Sequence, residues 1–228
     1  MLQGSTTFTD CLITRFQATI EEESEQTLTV IPNKSMTGLV ALVQRQADFA
    51  MTSTDVESGK AQLSQMYPDV ALAGLKTFEI ARTRAALAVH PDNPVASISA
   101  DTLRRVLTGE IRNWRELGGR DLPVRVVFVR DGGGVQASIE AQVLNGGSIS
   151  APDQIRVQTS AQVARIAEQE PGALGLAQLN VVRRSTAKEL ATDRAIEQQL
   201  SLTTLGEPTE PMRKVIETIR RVAVLTRQ

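Results

Sequence analysis

Strand-like and helix-like segments alternate along the chain of 228 residues, and this alternation constrains the fold more than any other feature. Apolar residues recur every fourth position over residues 8–20, which predicts an amphipathic helix. The apolar run at residues 124–129 predicts a buried strand, and residues 134–144 after it have a helical pattern. This order favours an α/β fold with a mostly parallel sheet flanked by helices.

The composition excludes several classes of function. A net charge of −1 gives no electrostatic footprint for nucleic acid or for an anionic membrane. Aromatic residues make up only 3%, which leaves few stacking platforms for bases or flat cofactors. Cys11 is the single cysteine, so no internal disulfide can form, and His90 is the single histidine. We therefore expect no metal site, no cofactor and no catalytic residues.

A glycine-rich corner follows the predicted strand at residues 124–129. Arg130 ends this strand, and Gly132, Gly133 and Gly134 lead into the next helix. Glycines allow a ligand to approach the backbone, and the free N–H groups at a helix start attract negative charge. An arginine adds a two-pronged contact to an oxyanion. The corner is therefore predicted to bind an anion, and it lacks the Lys-Ser or Lys-Thr pair of a P-loop.

Four loops join the end of a predicted strand to the start of a helix. Each is rich in glycine or hydroxyl residues, and they lie at residues 4–8, 32–37, 52–55 and 130–135. In open parallel sheets, ligands bind beyond the carboxyl ends of the strands. The four loops therefore predict one shared binding site.

Five stretches of the chain form a specific combination of motifs. They are Gly4-Ser5-Thr6-Thr7-Phe8, Gln46-Ala47-Asp48-Phe49-Ala50-Met51-Thr52-Ser53, Val89-His90-Pro91-Asp92-Asn93-Pro94-Val95, Leu107-Thr108-Gly109-Glu110-Ile111-Arg112-Asn113-Trp114 and Pro171-Gly172-Ala173-Leu174-Gly175. These motifs resemble those of the PstS-like group, the phosphate-type periplasmic substrate-binding proteins of ABC transporters. Their order and spacing fit that group over most of residues 4–182, whereas residues 183–228 match only loosely.

The resemblance implies the type II periplasmic-binding-protein fold, with two α/β lobes joined by two crossover strands. Each lobe would be a mostly parallel sheet flanked by helices. Lobe 1 would comprise residues 1–81 and 177–228, and lobe 2 residues 82–176. The ligand would lie in a cleft between them, and a hinge motion would close the cleft.

The resemblance also implies ligand contacts in the first lobe. The first loop would donate the Thr7 hydroxyl and the Phe8 backbone N–H, and the second loop the Ser35 hydroxyl. Ser53 occupies the place where the family has Asp or Ser. An Asp there can accept the proton of a protonated oxyanion. Ser53 could also accept it, but without repelling a fully ionised anion.

In the second lobe, the family has an arginine followed by Ser-Gly-Thr at a helix start. Arg130 matches the arginine, and with a one-residue gap the tripeptide falls on Gly133, Gly134 and Val135. Two hydroxyl donors are therefore missing, whereas the backbone N–H groups remain. Four further residues complete the candidate set: Thr6, Thr37, Thr52 and Arg84.

The function implied by the resemblance is capture of a small oxyanion, phosphate or a phosphate-like anion, for an ABC importer. Such proteins are not enzymes. The expected partners are the anion and an ABC transporter permease, and the expected state is a monomer. The expected location is periplasmic or extracytoplasmic, although the sequence has no signal peptide. The alternative is a sensory or scaffold module of the same fold, in which ligand binding is altered or lost.

Overall fold

The computed structural model describes residues 1–54, 56–68, 72–130 and 133–225 of the chain. The strands are β1 (Leu2–Ser5), β2 (Val30–Asn33), β3 (Phe49–Thr52), β4 (Leu75–Val89), β5 (Ser97–Ile98), β6 (Arg125–Val129), β7 (Gln154–Val157), β8 (Ala173–Gln178), β9 (Lys188–Thr192) and β10 (Ile196–Leu205). The α-helices are α1 (Thr6–Phe8), α2 (Thr14–Ser24), α3 (Ser35–Val43), α4 (Val56–Met66), α5 (Ala100–Leu107), α6 (Gly134–Gln142), α7 (Ser160–Gln169), α8 (Leu179–Val182) and α9 (Glu210–Leu225). A π-helical turn, Thr9–Ile13, joins α1 to α2, and short 3₁₀ turns occur at Leu72–Gly74 and Trp114–Leu117.

The chain divides into two compact units. The first unit comprises Met1–Arg82 and Gln199–Gln228, and the second comprises Thr83–Gln198. The chain passes from one unit to the other within β4 and returns within β10, so two strands connect the units.

The sheet of the first unit has the strand order β2-β1-β3-β10. β1 is parallel to both β2 and β3, whereas β10 is antiparallel to β3. The carboxyl ends of β1, β2 and β3 therefore meet at one edge, which brings the loops that follow them together. The core beside this sheet contains Leu2, Phe8, Leu12, Ile20, Phe49, Met51, Leu200, Leu202, Val215, Ile219 and Val222.

In the second unit, β8 is antiparallel to β4 and parallel to β6, which in turn is parallel to β7. β9 is antiparallel to β4 and parallel to β5. Trp114 is buried in the core of this unit, and its indole N–H donates to the Gly172 carbonyl at 2.9 Å. β6 is buried at its centre, and Arg130 and α6 follow it along the chain.

The largest difference from the sequence-based expectation lies in residues 177–198. These residues were expected in the first lobe, but the second unit continues to Gln198. The reason is that β9 pairs with Leu87–Val89 of β4, far away along the chain. Neither β9 nor β10 was predicted, because such long-range pairing is absent from a local pattern.

Candidate functional site

Three serine side chains converge at the edge of the first unit where β1 and β3 end. Ser5 is the last residue of β1, Ser35 is the first residue of α3, and Ser53 follows β3. Ser5 and Ser53 are 3% and 1% exposed, and Ser35 is partly exposed. The first three of the four predicted loops therefore lie close together within this unit.

Ser5 links the first loop to the third. The Phe8 backbone N–H donates to Ser5 Oγ at 3.2 Å, which caps the start of α1. The Ser5 hydroxyl donates in turn to Ser53 Oγ at 2.8 Å. Ser5 was not among the predicted site residues, although a serine three positions before Phe8 at a strand-to-helix junction is a sequence signal for a helix cap.

Ser35 links the second loop to the third. The Ser53 backbone N–H donates to Ser35 Oγ at 3.1 Å. The predicted pair Ser35 and Ser53 is thus brought into direct contact. In the part of the chain that the structure describes, neither the Ser35 nor the Ser53 hydroxyl donates its own proton to an acceptor. A buried hydroxyl that donates to no acceptor costs about 1–3 kcal/mol. A hydrogen bond to a ligand oxygen would remove this cost.

The other candidates in the first unit have different surroundings. The Phe8 N–H, which was predicted to donate to the ligand, donates to Ser5 Oγ in this structure. The Thr52 hydroxyl is fully buried and donates to the Ser201 carbonyl at 3.4 Å, which is a structural contact to β10. Thr7 is buried, whereas Thr6 and Thr37 are exposed.

The corner that was predicted to bind an anion follows β6 in the second unit. The Arg130 backbone N–H donates to the Val157 carbonyl at 2.9 Å, which holds the end of β6 against β7, and the residue itself is exposed. Gly133 precedes the first residue of α6 and offers no side-chain cap. Val135 is buried in the core, so only its backbone can serve a ligand. Asp131 and Gly132 lie outside the described residues.

The remaining observations concern charge and other chemistry. Arg84 is exposed on β4, in the second unit. Among the described residues at 2–8, 33–37 and 49–54, none carries a carboxylate.

No group of three potential metal ligands occurs within the described ranges. No described helix is long and apolar enough to cross a membrane.

The family is decided by comparison with known proteins. The model of the PBP superfamily domain matches residues 1–219. The chain belongs to the PBP superfamily. Two predictions are thereby confirmed. The first is the type II periplasmic-binding-protein fold, and the second is the resemblance to the PstS-like group.

One curated relative of this PBP superfamily chain is the phosphate-binding protein PstS of Bacillus subtilis, which is 26% identical over 174 residues. The match covers 76% of this chain but 55% of the relative, so the chain spans about half of that protein's length.

Two solved structures share the fold. One is an ABC-type phosphate transport receptor from Vibrio cholerae, with a TM-score of 0.78, 21% identity, and coverage of 98% of this chain and 96% of that one. The other is a putative phosphate ABC transporter substrate-binding protein from Clostridium perfringens with bound phosphate. Its TM-score is 0.78 at 22% identity, and the match covers 96% of this chain and 91% of that one.

Proposed function

We propose that this protein captures a small oxyanion, phosphate or a phosphate-like anion, and delivers it to an ABC importer. The observation that carries the proposal is the contact of Ser35 with Ser53, which brings two hydroxyl groups together. The described residues at 2–8, 33–37 and 49–54 include no carboxylate. Hydroxyl donors are suited to the acceptor oxygens of an oxyanion. The curated relative is named a phosphate-binding protein, which supports this ligand class.

The second half of the proposed site is Arg130 with the backbone N–H groups of Gly133, Gly134 and Val135. We propose that these groups bind the same anion as the serines and that hinge closure traps it. A hydrogen bond to a charged group contributes roughly 1.5–3 kcal/mol. The two hydroxyls missing at Gly133 and Val135 would therefore weaken phosphate binding by ~10²–10⁴-fold, unless water replaces them.

The proposed role is binding rather than catalysis. The proposed partner is the permease of an ABC transporter, the proposed location is periplasmic or extracytoplasmic, and the proposed state is a monomer. The PstS relative and the two transport-receptor structures support this assignment of class.

Removing Arg130 tests the proposal. We expect R130A to lower the affinity for phosphate by at least ~10–100-fold, because a charge-assisted pair of hydrogen bonds is lost. Isothermal titration calorimetry measures the affinity. R125A is the matched control, since Arg125 begins the same strand and pairs with Asp153 at 3.1 Å. Unchanged affinity in R130A would refute the assignment of Arg130 to the site.

The second candidate is a sensory or scaffold module of the same fold. It is favoured by the loss of the family's Ser and Thr at Gly133 and Val135. A thermal-shift screen tests for a module that has lost its ligand, because a ligand raises the melting temperature as its concentration rises. Phosphate, sulfate, molybdate, tungstate and phosphonates are the probes. A scaffold that has lost its ligand would show no shift with any of them.

A further inference from the structure

Gln198 on β10 has an unusual environment for a polar side chain. The residue is 1% exposed, and its Oε1 and Nε2 atoms are both buried. Neither atom makes a hydrogen bond to any residue that the structure describes. A buried amide without hydrogen bonds has lost its contacts with water and gained none in exchange. Gln198 therefore destabilises the conformation of β10 in this structure.

The position of Gln198 in the strand is one where packing favours an apolar residue. Interior and exposed side chains alternate here: Ile196, Gln198 and Leu200 are buried, whereas Glu197 and Gln199 are exposed. Ile196 belongs to the core of the second unit and Leu200 to the core of the first. A methionine, which is unbranched and similar in length, would fill the same space without a desolvation cost. Packing alone therefore does not account for the amide.

Gln198 lies between two points at which β10 is attached to other elements. On one side, the Glu197 N–H donates to Gln142 Oε1 at 3.1 Å, and Gln142 Nε2 donates to the Glu197 carbonyl at 2.6 Å. Gln142 is the last residue of α6, the helix whose first turn is proposed to bind the anion. On the other side, the Thr52 hydroxyl at the end of β3 donates to the Ser201 carbonyl at 3.4 Å. Each attachment lies within one unit and involves an element that leads to, or follows, part of the proposed site.

We propose that Gln198 is a positioning residue that couples anion binding to the hinge. Its amide has no hydrogen-bond partner among the described residues and gains partners in the anion-bound conformation. Gln198 is the last residue of the second unit, and the chain returns to the first unit at Gln199. Hinge motions are absorbed by a few residues in connecting segments, so the surroundings of this side chain change as the hinge moves. The inference rests on the proposed function and adds a residue outside the proposed ligand contacts.

The coupling follows from a difference in free energy between two conformations. A group that destabilises one conformation favours the other, even where it does not touch the ligand. The amide of Gln198 raises the free energy of the conformation in which it is unpaired, and hydrogen bonds in the anion-bound conformation remove that cost. An apolar side chain of similar length would therefore have opposite effects on stability and on anion affinity.

The test compares the wild-type protein with Q198M. Thermal denaturation without anion measures stability, and isothermal titration calorimetry with phosphate and with sulfate measures affinity. We expect Q198M to raise the melting temperature by about 2–8 °C, because the unpaired amide is removed. We expect the same variant to bind each anion about ten-fold more weakly, because the bound conformation loses the hydrogen bonds of the amide. A merely structural role would not move stability and affinity in opposite directions.

Q199M is the matched control, because Gln199 is the next residue of the strand and is exposed. Its amide donates to Ser201 Oγ at 3.1 Å, so the same substitution removes an amide that is already paired. We expect Q199M to give no rise in melting temperature and to change the affinities by less than about two-fold, as is usual at exposed sites. Q198L repeats the test with a second apolar side chain and should give the same opposed changes as Q198M.

The outcomes distinguish the inference from the proposed function. Binding of neither phosphate nor sulfate to the wild-type protein would overturn both. Binding that Q198M leaves unchanged would let the proposed function stand and overturn the coupling role. A Q198M protein less stable than the wild type would show that the amide is already satisfied in the unbound protein. A loss of affinity without a gain in stability, or for one bound anion and not the other, would indicate a direct contact instead, and each of these results would overturn the inference.

Discussion

At the level of single residues, Gly38 shows how closely the first unit is packed beneath its site. A Cβ atom at this position would lie 2.3 Å from the Gln3 carbonyl oxygen and 2.8 Å from the Gly4 Cα. Both neighbours are backbone atoms of β1, so neither can move as a side chain could. The absence of a side chain is what lets α3 approach β1, and α3 carries Ser35 at its first residue.

We expect G38A to destabilise the first unit by about 1–3 kcal/mol, the usual cost of overpacking against rigid atoms. G59A is the matched control, because the new Cβ would meet only the end of the Leu39 side chain, at 2.8 Å. Alanine also favours a helix over glycine by about 1 kcal/mol, which offsets part of that crowding. Urea denaturation measures both variants, and equal stabilities would contradict the close approach of α3 to β1.

At the level of elements, the helices of the second unit differ in how they begin. α7 starts with a full capping box, in which Thr159 accepts from the Gln162 N–H and the Gln162 side chain accepts from the Thr159 N–H. α6 starts at Gly133 and Gly134, where no side chain caps the helix. The backbone N–H groups at the start of α6, which no side chain caps, are the groups proposed to bind the anion. At the start of α7, side chains already accept hydrogen bonds from the backbone N–H groups of Thr159 and Gln162.

We expect T159A to lower the free energy of unfolding by about 1 kcal/mol, because the N-cap side chain is lost. T159S is the control, since it retains the hydroxyl and should cost much less. Chemical denaturation measures the stability, and phosphate affinity is measured in parallel. Because Thr159 lies outside the proposed site, its substitution should leave that affinity unchanged. A T159A protein as stable as T159S would contradict the cap.

At the level of the whole chain, the first unit is assembled from two distant segments. Lys214 on α9 donates to the Glu25 carboxylate at 2.8 Å, and Arg221 on α9 pairs with Glu23 on α2. The hydrogen bond from Lys214 and its positive charge lower the pKa of Glu25 below its ordinary value of 4.5. The same contact with Glu25 raises the pKa of Lys214.

These shifts give the pair a pH dependence of known sign. A lowered carboxylate pKa contributes stability that is present above pH 4.5 and is lost as the pH falls through the folded-state pKa. We expect K214M to lower the melting temperature slightly at neutral pH and low salt. The difference should shrink in acid and in high salt, because the pair is exposed and screened.

The control for this pair is K60M. Lys60 contacts Glu57 at 2.7 Å within one helix, so its loss does not uncouple distant segments. Differential scanning calorimetry at neutral and acidic pH compares the two variants. A K214M deficit that persists unchanged in acid would show that the ion pair is not its cause.

Local patterns in the sequence were sufficient for the fold class. The alternation of strands and helices predicted the α/β fold, and loop chemistry at strand ends indicated the candidate loops and Arg130, whereas Ser35 and Ser53 were assigned through the resemblance to the PstS-like group. These predictions depend on near neighbours along the chain, so the sequence contains the information directly. The match to the Ser-Gly-Thr of the PstS-like group located the two missing hydroxyls at Gly133 and Val135, because glycine and valine side chains carry no hydroxyl.

The tertiary structure decided which groups are paired and to which unit each segment belongs. Ser5 and Ser53 are 48 residues apart, and only the register of β1 against β3 brings their hydroxyls within 2.8 Å. The same kind of long-range pairing, between β9 and β4, placed β9 in the second unit. Hydrogen-bond partners and strand pairing depend on distances between remote residues, and no local pattern contains those distances.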